Sequence, residues 1–244
     1  MRAALRRGLA RHARVLACRG LDGVEALLAR EVVDAVVVDV RGGGRQPERV
    51  FQFLGRFPQI PVFAVSAFRP DDGALLVACR RAGVRVLQFG VDDSVSGEVI
   101  GARTASRRRR AELRDAPALL RLREPLQIKI WEEVLRSVGS RARTADIARE
   151  LGLTREHLSR EFAAGGAPNL KRVIDLARIC CAADLLTNPG YDVRTVGRVL
   201  RFASPSHLAA SARRIAGATP LELPRLGVRQ VLSRFLKGRT RSRL

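Results

Sequence analysis

Two short stretches about fifty residues apart each set a hydroxyl residue three positions before a histidine, with arginines nearby. The first holds Thr154, Arg155, Glu156, His157, Ser159 and Arg160, and the second holds Ser204, Ser206, His207, Ala210, Arg213 and Arg214. Donors near the start of a helix can reach base edges in the major groove of DNA, while arginines along it meet phosphate. These twelve residues are therefore the candidates for contact with double-stranded DNA. His157 and His207 occupy equivalent places, and two roles stay open for them, base contact or packing at a helix–helix seam. A metal pair is disfavoured because the two histidines belong to separate units with no supporting ligands.

The surrounding residues say how such side chains would be positioned. In residues 144–162 (TADIARELGLTREHLSREF), Ile147, Ala148 and Leu151 form the inner face of a short helix. Gly152 supplies the left-handed conformation that a tight turn needs, and Thr154 suits the N-cap of the next helix. Leu158 and Phe162, four apart, face inward, which leaves Arg155, Glu156, Ser159 and Arg160 outward. A single copy of this pattern also fits an ordinary helical hairpin with a solvated face. The pattern recurs, however. Residues 195–202 (TVGRVLRF) repeat the first helix with Val196, Gly197 and Leu200 inside, and residues 204–212 (SPSHLAASA) repeat the second, with Pro205 at the first helical position. Both copies end in a glycine–proline stop, at Gly166/Pro168 and Gly217/Pro220. Between them, residues 169–187 read as an amphipathic helix through Val173, Ile174, Ala177, Leu185 and Leu186. Its expected length is roughly 28 Å, near the ~34 Å turn of DNA, so it could present two recognition helices to successive grooves.

On these residues, 126–224 resembles the AraC/XylS-type DNA-binding domain. The matching elements are the LSREF stretch, the connector with Arg178, Ala183, Leu185 and Leu186, and the closing RRIAGATP run at 213–220. The resemblance implies a seven-helix, all-α domain with two helix-turn-helix units that binds promoter DNA and often contacts RNA polymerase. Three residues depart from the family's pattern. Arg201 stands where the second turn normally has glycine, at a cost of roughly 1 kcal/mol in a left-handed conformation. Gly197 replaces an alanine, and Ala212 replaces an aromatic. The second unit is expected to be less stable or less specific than the first.

The N-terminal hundred residues alternate between helical and strand periods. Residues 1–12 read as a basic helix, 14–18 as a short strand and 21–31 as an amphipathic helix. The β-branched run VVDAVVVDV at 32–40 is a buried strand, followed by a turn at Gly42–Gly44 and a helix at 48–56. A strand at 60–66, a helix at 72–82 and a strand at 84–89 complete a parallel α/β pattern. This half resembles a response-regulator receiver domain over about residues 1–98. The resemblance puts Asp39 at the phosphoacceptor position and Ser66 at the place of the family's hydroxyl residue. The acidic pair that holds Mg²⁺ and the lysine after the strand VRVLQF have no counterparts, so charge on a transferred phosphoryl group would go uncompensated. Asp39 can equally be a strand-end carboxylate that caps the next turn. The first strand of that fold is missing. Either a start upstream would supply it, or residues 14–18 stand in for it in a degenerate domain used for homodimerisation.

Composition fits this reading. There are 45 Lys+Arg against 24 Asp+Glu, a formal charge of +21, which calls for an anionic partner. Only three of the basic residues are lysines, and a high-GC coding bias accounts for part of the arginine excess. Residues 101–125 hold eight arginines against three acids and read as a basic linker or a solvated helix face. Residues 225–244 hold seven basic residues and no acid, and read as a short helix at 228–236 followed by a disordered end. Cys18, Cys79, Cys180 and Cys181 form no metal-binding pattern. No apolar run has the length of a signal peptide or a membrane span, so the protein is expected in the cytoplasm and not at a membrane. No phosphate loop or nucleophile–base pair appears, and neither enzymatic activity nor a cofactor is expected. An enzyme with an accessory DNA-binding module gains no support, and an RNA-binding protein would more often show aromatics within its basic patches. The expected layout is an α/β domain at 1–100, a linker at 101–125, a tandem helix-turn-helix domain at 126–224 and a basic tail. The expected function is transcription regulation independent of phosphorylation. A two-component regulator phosphorylated at Asp39 is the alternative if an upstream start supplies the acidic pair.

Overall fold

The computed structural model describes residues 2–9, 13–40, 47–139 and 143–241. The chain divides into two compact units. The first combines Met1–Leu28, Val33–Arg108 and Asn188–Gly190, and the second combines Ala29–Val32, Arg109–Thr187 and Tyr191–Leu244.

The first unit runs α1 (Arg2–Leu9), α2 (Gly20–Leu28), β1 (Val36–Val38), α3 (Pro47–Arg56), β2 (Val62–Ser66), α4 (Gly73–Arg81), β3 (Arg85–Gln88) and α5 (Ser96–Gly101). Its sheet is parallel in the order β1-β2-β3, with Val36 opposite Val62 and Phe63 opposite Arg85. Parallel neighbours require crossovers, and α3 and α4 supply them. Every residue of β2 is buried, as a central strand covered on both faces must be. Leu5 and Leu9 of α1 join Phe63, Val65, Leu87 and Ile100 in one apolar cluster. Gly97 of α5 lies so close to the Gly8 backbone that a Cβ there has no room.

Two strand expectations are corrected. Residues 14–18 form no strand, because neither edge of the sheet pairs with them. The strand expected at 32–40 ladders only over Val36–Val38, since the Asp34 carbonyl accepts from the Ala105 amide at 2.8 Å instead. The turn at Gly42–Gly44 lies outside the described residues.

In the second half the elements are α6 (Ala105–Glu112), α7 (Ala116–Leu119), α8 (Pro125–Arg136), α9 (Thr144–Glu150), α10 (Arg155–Ala163), α11 (Leu170–Leu185), α12 (Val193–Val199), α13 (Pro205–Ala216) and α14 (Leu223–Arg241). α11 is the centre of the core. Twelve of its sixteen residues are buried, so it is covered nearly all round rather than being the one-sided amphipathic connector that the sequence pattern suggested. At 1.5 Å per residue it is about 24 Å long. Asn169 caps its start by accepting from the Lys171 amide at 2.8 Å. Cys180 and Cys181 are buried within it, and burial raises the Cys180 thiol pKa, as suits packing residues.

Residues 101–125, read as a basic linker or a solvated helix face, are largely helical. Leu113, Ala116, Leu120 and Leu122 are buried, and the arginine run divides between environments. Arg109 reaches Asp184 at 2.7 Å with both side chains about 10% exposed, Arg108 reaches the Gln59 amide oxygen at 2.7 Å, and Arg107 and Arg110 are exposed. The tail is corrected as well. α14 continues to Arg241 because Val228, Val231, Leu232 and Phe235 bury an apolar face against α11 and α13. Among the described residues no helix is long and apolar enough to cross a membrane.

Candidate DNA-binding site

The two expected units are built from α9–α10 and α12–α13, and their turns share one hydrogen-bond scheme. In the first, the Gly152 amide donates to Arg149 O at 3.1 Å and the Leu153 amide to Ala148 O at 2.8 Å. In the second, the Arg201 amide donates to Arg198 O at 3.0 Å and the Phe202 amide to Gly197 O at 2.8 Å. The bonding that ends a helix in this way needs a left-handed residue, and Gly152 (φ 67°) and Arg201 (φ 58°) both provide it. Arg201 thus adopts the glycine conformation despite its Cβ.

Each second helix starts on a hydroxyl cap. Thr154 Oγ1 accepts from the His157 amide at 3.2 Å, and Ser204 Oγ from the His207 amide at 3.0 Å. The caps satisfy orphan amides and fix where each helix begins, and so which side chains stand at its leading turn. Asp192 does the same for α12, and its bonds to Thr195 hold its carboxyl below the ordinary range. Leu158 and Phe162 in one unit and Leu208 and Ala212 in the other are completely buried. The candidate residues fall on the opposite side. Thr154, Arg155, Glu156 and Arg160 are exposed, with His157 and Ser159 half-buried, and Ser204, Ser206, His207, Ala210, Arg213 and Arg214 are exposed on the second helix.

Equivalent positions do not make equivalent contacts. His157 Nδ1 lies 3.1 Å from the Arg160 guanidinium, within an exposed cluster that also holds Glu161. His207 instead sets its ring edge-on to Phe202, with centroids 5.5 Å apart. Arg155 pairs with its neighbour Glu156 at 3.2 Å, an exposed contact that DNA could readily displace. Arg214 is committed inward, since its guanidinium reaches the buried Asp175 of α11 at 2.7 Å.

Asp175 belongs to a brace that sequence reasoning passed over. Arg178, one turn along α11, donates two hydrogen bonds to Leu200 O, at 3.1 and 2.6 Å, and stacks 3.8 Å over the Phe202 ring. One guanidinium therefore holds the residues on both sides of Arg201. Burial lowers the Arg178 pKa, and nearby Asp175 offsets part of that cost. The signal was present in the sequence, as Asp175 and Arg178 are three apart among the apolar residues in the middle of the helix. Gln127 is a second such residue. Its oxygen accepts from the Arg123 and Glu124 amides (2.8 and 3.1 Å), and its nitrogen donates to the carbonyls of Glu161, Phe162 and Ala164 at the end of α10.

In the first unit, Asp39 and Ser66 follow and end the neighbouring strands β1 and β2, and the Ser66 hydroxyl donates to Asp39 Oδ1 at 2.8 Å. The two residues singled out in sequence are thus brought together at the carboxyl end of the sheet, where parallel α/β folds place their sites.

No curated protein and no solved structure matches the chain. A family described as a helix-turn-helix domain matches residues 147–225, a span that begins in α9 and ends in the first turn of α14. Residues 147–225 of the chain are therefore similar to a helix-turn-helix domain, over the span that holds both turns.

Proposed function

We propose that the protein is a sequence-specific regulator of transcription that binds double-stranded promoter DNA through both helix-turn-helix units and acts without phosphorylation. The observation that carries this reading is the repeated turn. Two separate stretches reach the same hydrogen-bond scheme and the same hydroxyl cap, and each leaves a polar helical face exposed. A structural hairpin has no need to be duplicated with its outer face intact. Independence from phosphorylation rests on the residues after β3, where Gly90 stands in place of the lysine that would neutralise a phosphoryl group. A receiver-like N-terminal unit, pairing of two such units, contact with RNA polymerase and a cytoplasmic location belong to the same proposal and are supported by the two resemblances and the composition.

Arg155 tests base reading. Arg155→Ala should relax preference at one base position by about 1–3 kcal/mol if the contact is bidentate, as read by competition among duplexes differing at single positions. An equal loss on every duplex would contradict its recognition role.

A further inference from the structure

The helices that carry the reading residues hold little of the charge that DNA binding requires. α10 has two arginines balanced by two glutamates, and α13 has two arginines, of which Arg214 is taken by Asp175. Affinity for duplex DNA comes largely from neutralised phosphates, so the missing charge must sit elsewhere on the unit. α14 holds six basic residues and no acid.

We infer that α14 is a DNA-backbone clamp, with Arg229 and Lys237 contacting duplex phosphates beside the second recognition helix. This inference rests on the DNA-binding reading. Arg229, Ser233 and Lys237 are exposed at four-residue spacing, opposite the buried Val228, Val231, Leu232 and Phe235. The two cations are two turns apart, about 12 Å along the helix. Among the described residues neither meets a carboxylate, so their charge is uncompensated by the protein. The helix also borders the reading surface. Arg234 donates to Ala216 O at 3.3 Å, at the C-terminal end of α13 and close in sequence to the exposed Arg213. That end of a recognition helix is where backbone contacts are made in related docking geometries. This continuity favours DNA phosphate over an acidic protein.

The test compares the full chain with its Arg229→Gln/Lys237→Gln variant on a selected duplex and a random duplex across a salt series. The variant should weaken both by the same factor, keep the preference between them, and lower the slope of log K against log salt by about 1.8, at 0.9 per lost contact. The charge-preserving Arg229→Lys/Lys237→Arg variant should keep the original slope. An unchanged slope in the Gln variant, with the original chain binding normally, overturns the assignment and leaves α14 to an acidic partner. A slope lost in the charge-preserving variant too overturns it in favour of a structural role. Failure of the original chain to bind any duplex overturns the DNA-binding reading itself, and this inference with it.

Discussion

Arg178 braces the turn of the second helix-turn-helix unit. Its guanidinium holds Leu200 O through two hydrogen bonds, stacks on Phe202 and lies near Asp175, so it shapes the turn in which Arg201 sits at φ 58°. Arg178→Ala would leave Asp175 buried with Arg214 as its remaining strong partner and would release the turn. The expected loss is about 3 kcal/mol in urea unfolding, in the range for a broken buried pair, and Arg178→Lys should recover little because lysine lacks the planar fork. A loss below about 0.5 kcal/mol, the level of an ordinary surface substitution, would contradict the brace. At this scale the sequence disclosed faces but not partners. Arg214 has the spacing of an outward arginine, and nothing local reveals that Asp175, 39 positions earlier, captures it. His157 and His207 look interchangeable in sequence, and their neighbours Arg160 and Phe202 make them different.

Among the elements, the turns and caps were legible because their signals are local. Gly152, Thr154, Ser204, Pro205 and Gly217 each act within a few residues of themselves, and each does what its chemistry implies. The elements that depend on distant partners were not legible in this way. The arginine run of α6 reads as solvated, yet Arg109 finds Asp184 75 residues on. The basic composition of α14 hides an apolar stripe that needs α11 to bury it. Residues 14–18 have the composition of a strand but pair with neither edge of the sheet. Gly197 shows the reverse case, a departure that the structure makes correctable. A Cβ there would meet only Leu208 Cδ2, at an ordinary 3.8 Å. Gly197→Ala should therefore stabilise α12, by about 0.5–1 kcal/mol from helix propensity, as measured by thermal or urea unfolding. Destabilisation would mean that α12 and α13 pack more tightly than the spacing indicates.

For the whole molecule, the division of labour follows where charge and shape lie. The +21 surplus is distributed unevenly, with α10 balanced and α14 carrying six cations, so the proposed function would divide specificity and electrostatic affinity between different helices. Both reading helices belong to one unit organised on α11, whose sixteen residues span about 24 Å. Under the proposed function, a core helix of that length would set the separation between the two DNA-reading surfaces, and with it the spacing of the DNA site. The most direct measurement is selection of binding sites by the full chain from random duplex DNA. The expected result is an enriched site of two blocks about one helical turn apart, 10–10.5 bp centre to centre, one for each unit. A single short block, or no enrichment at all, would contradict the claim that both units read DNA.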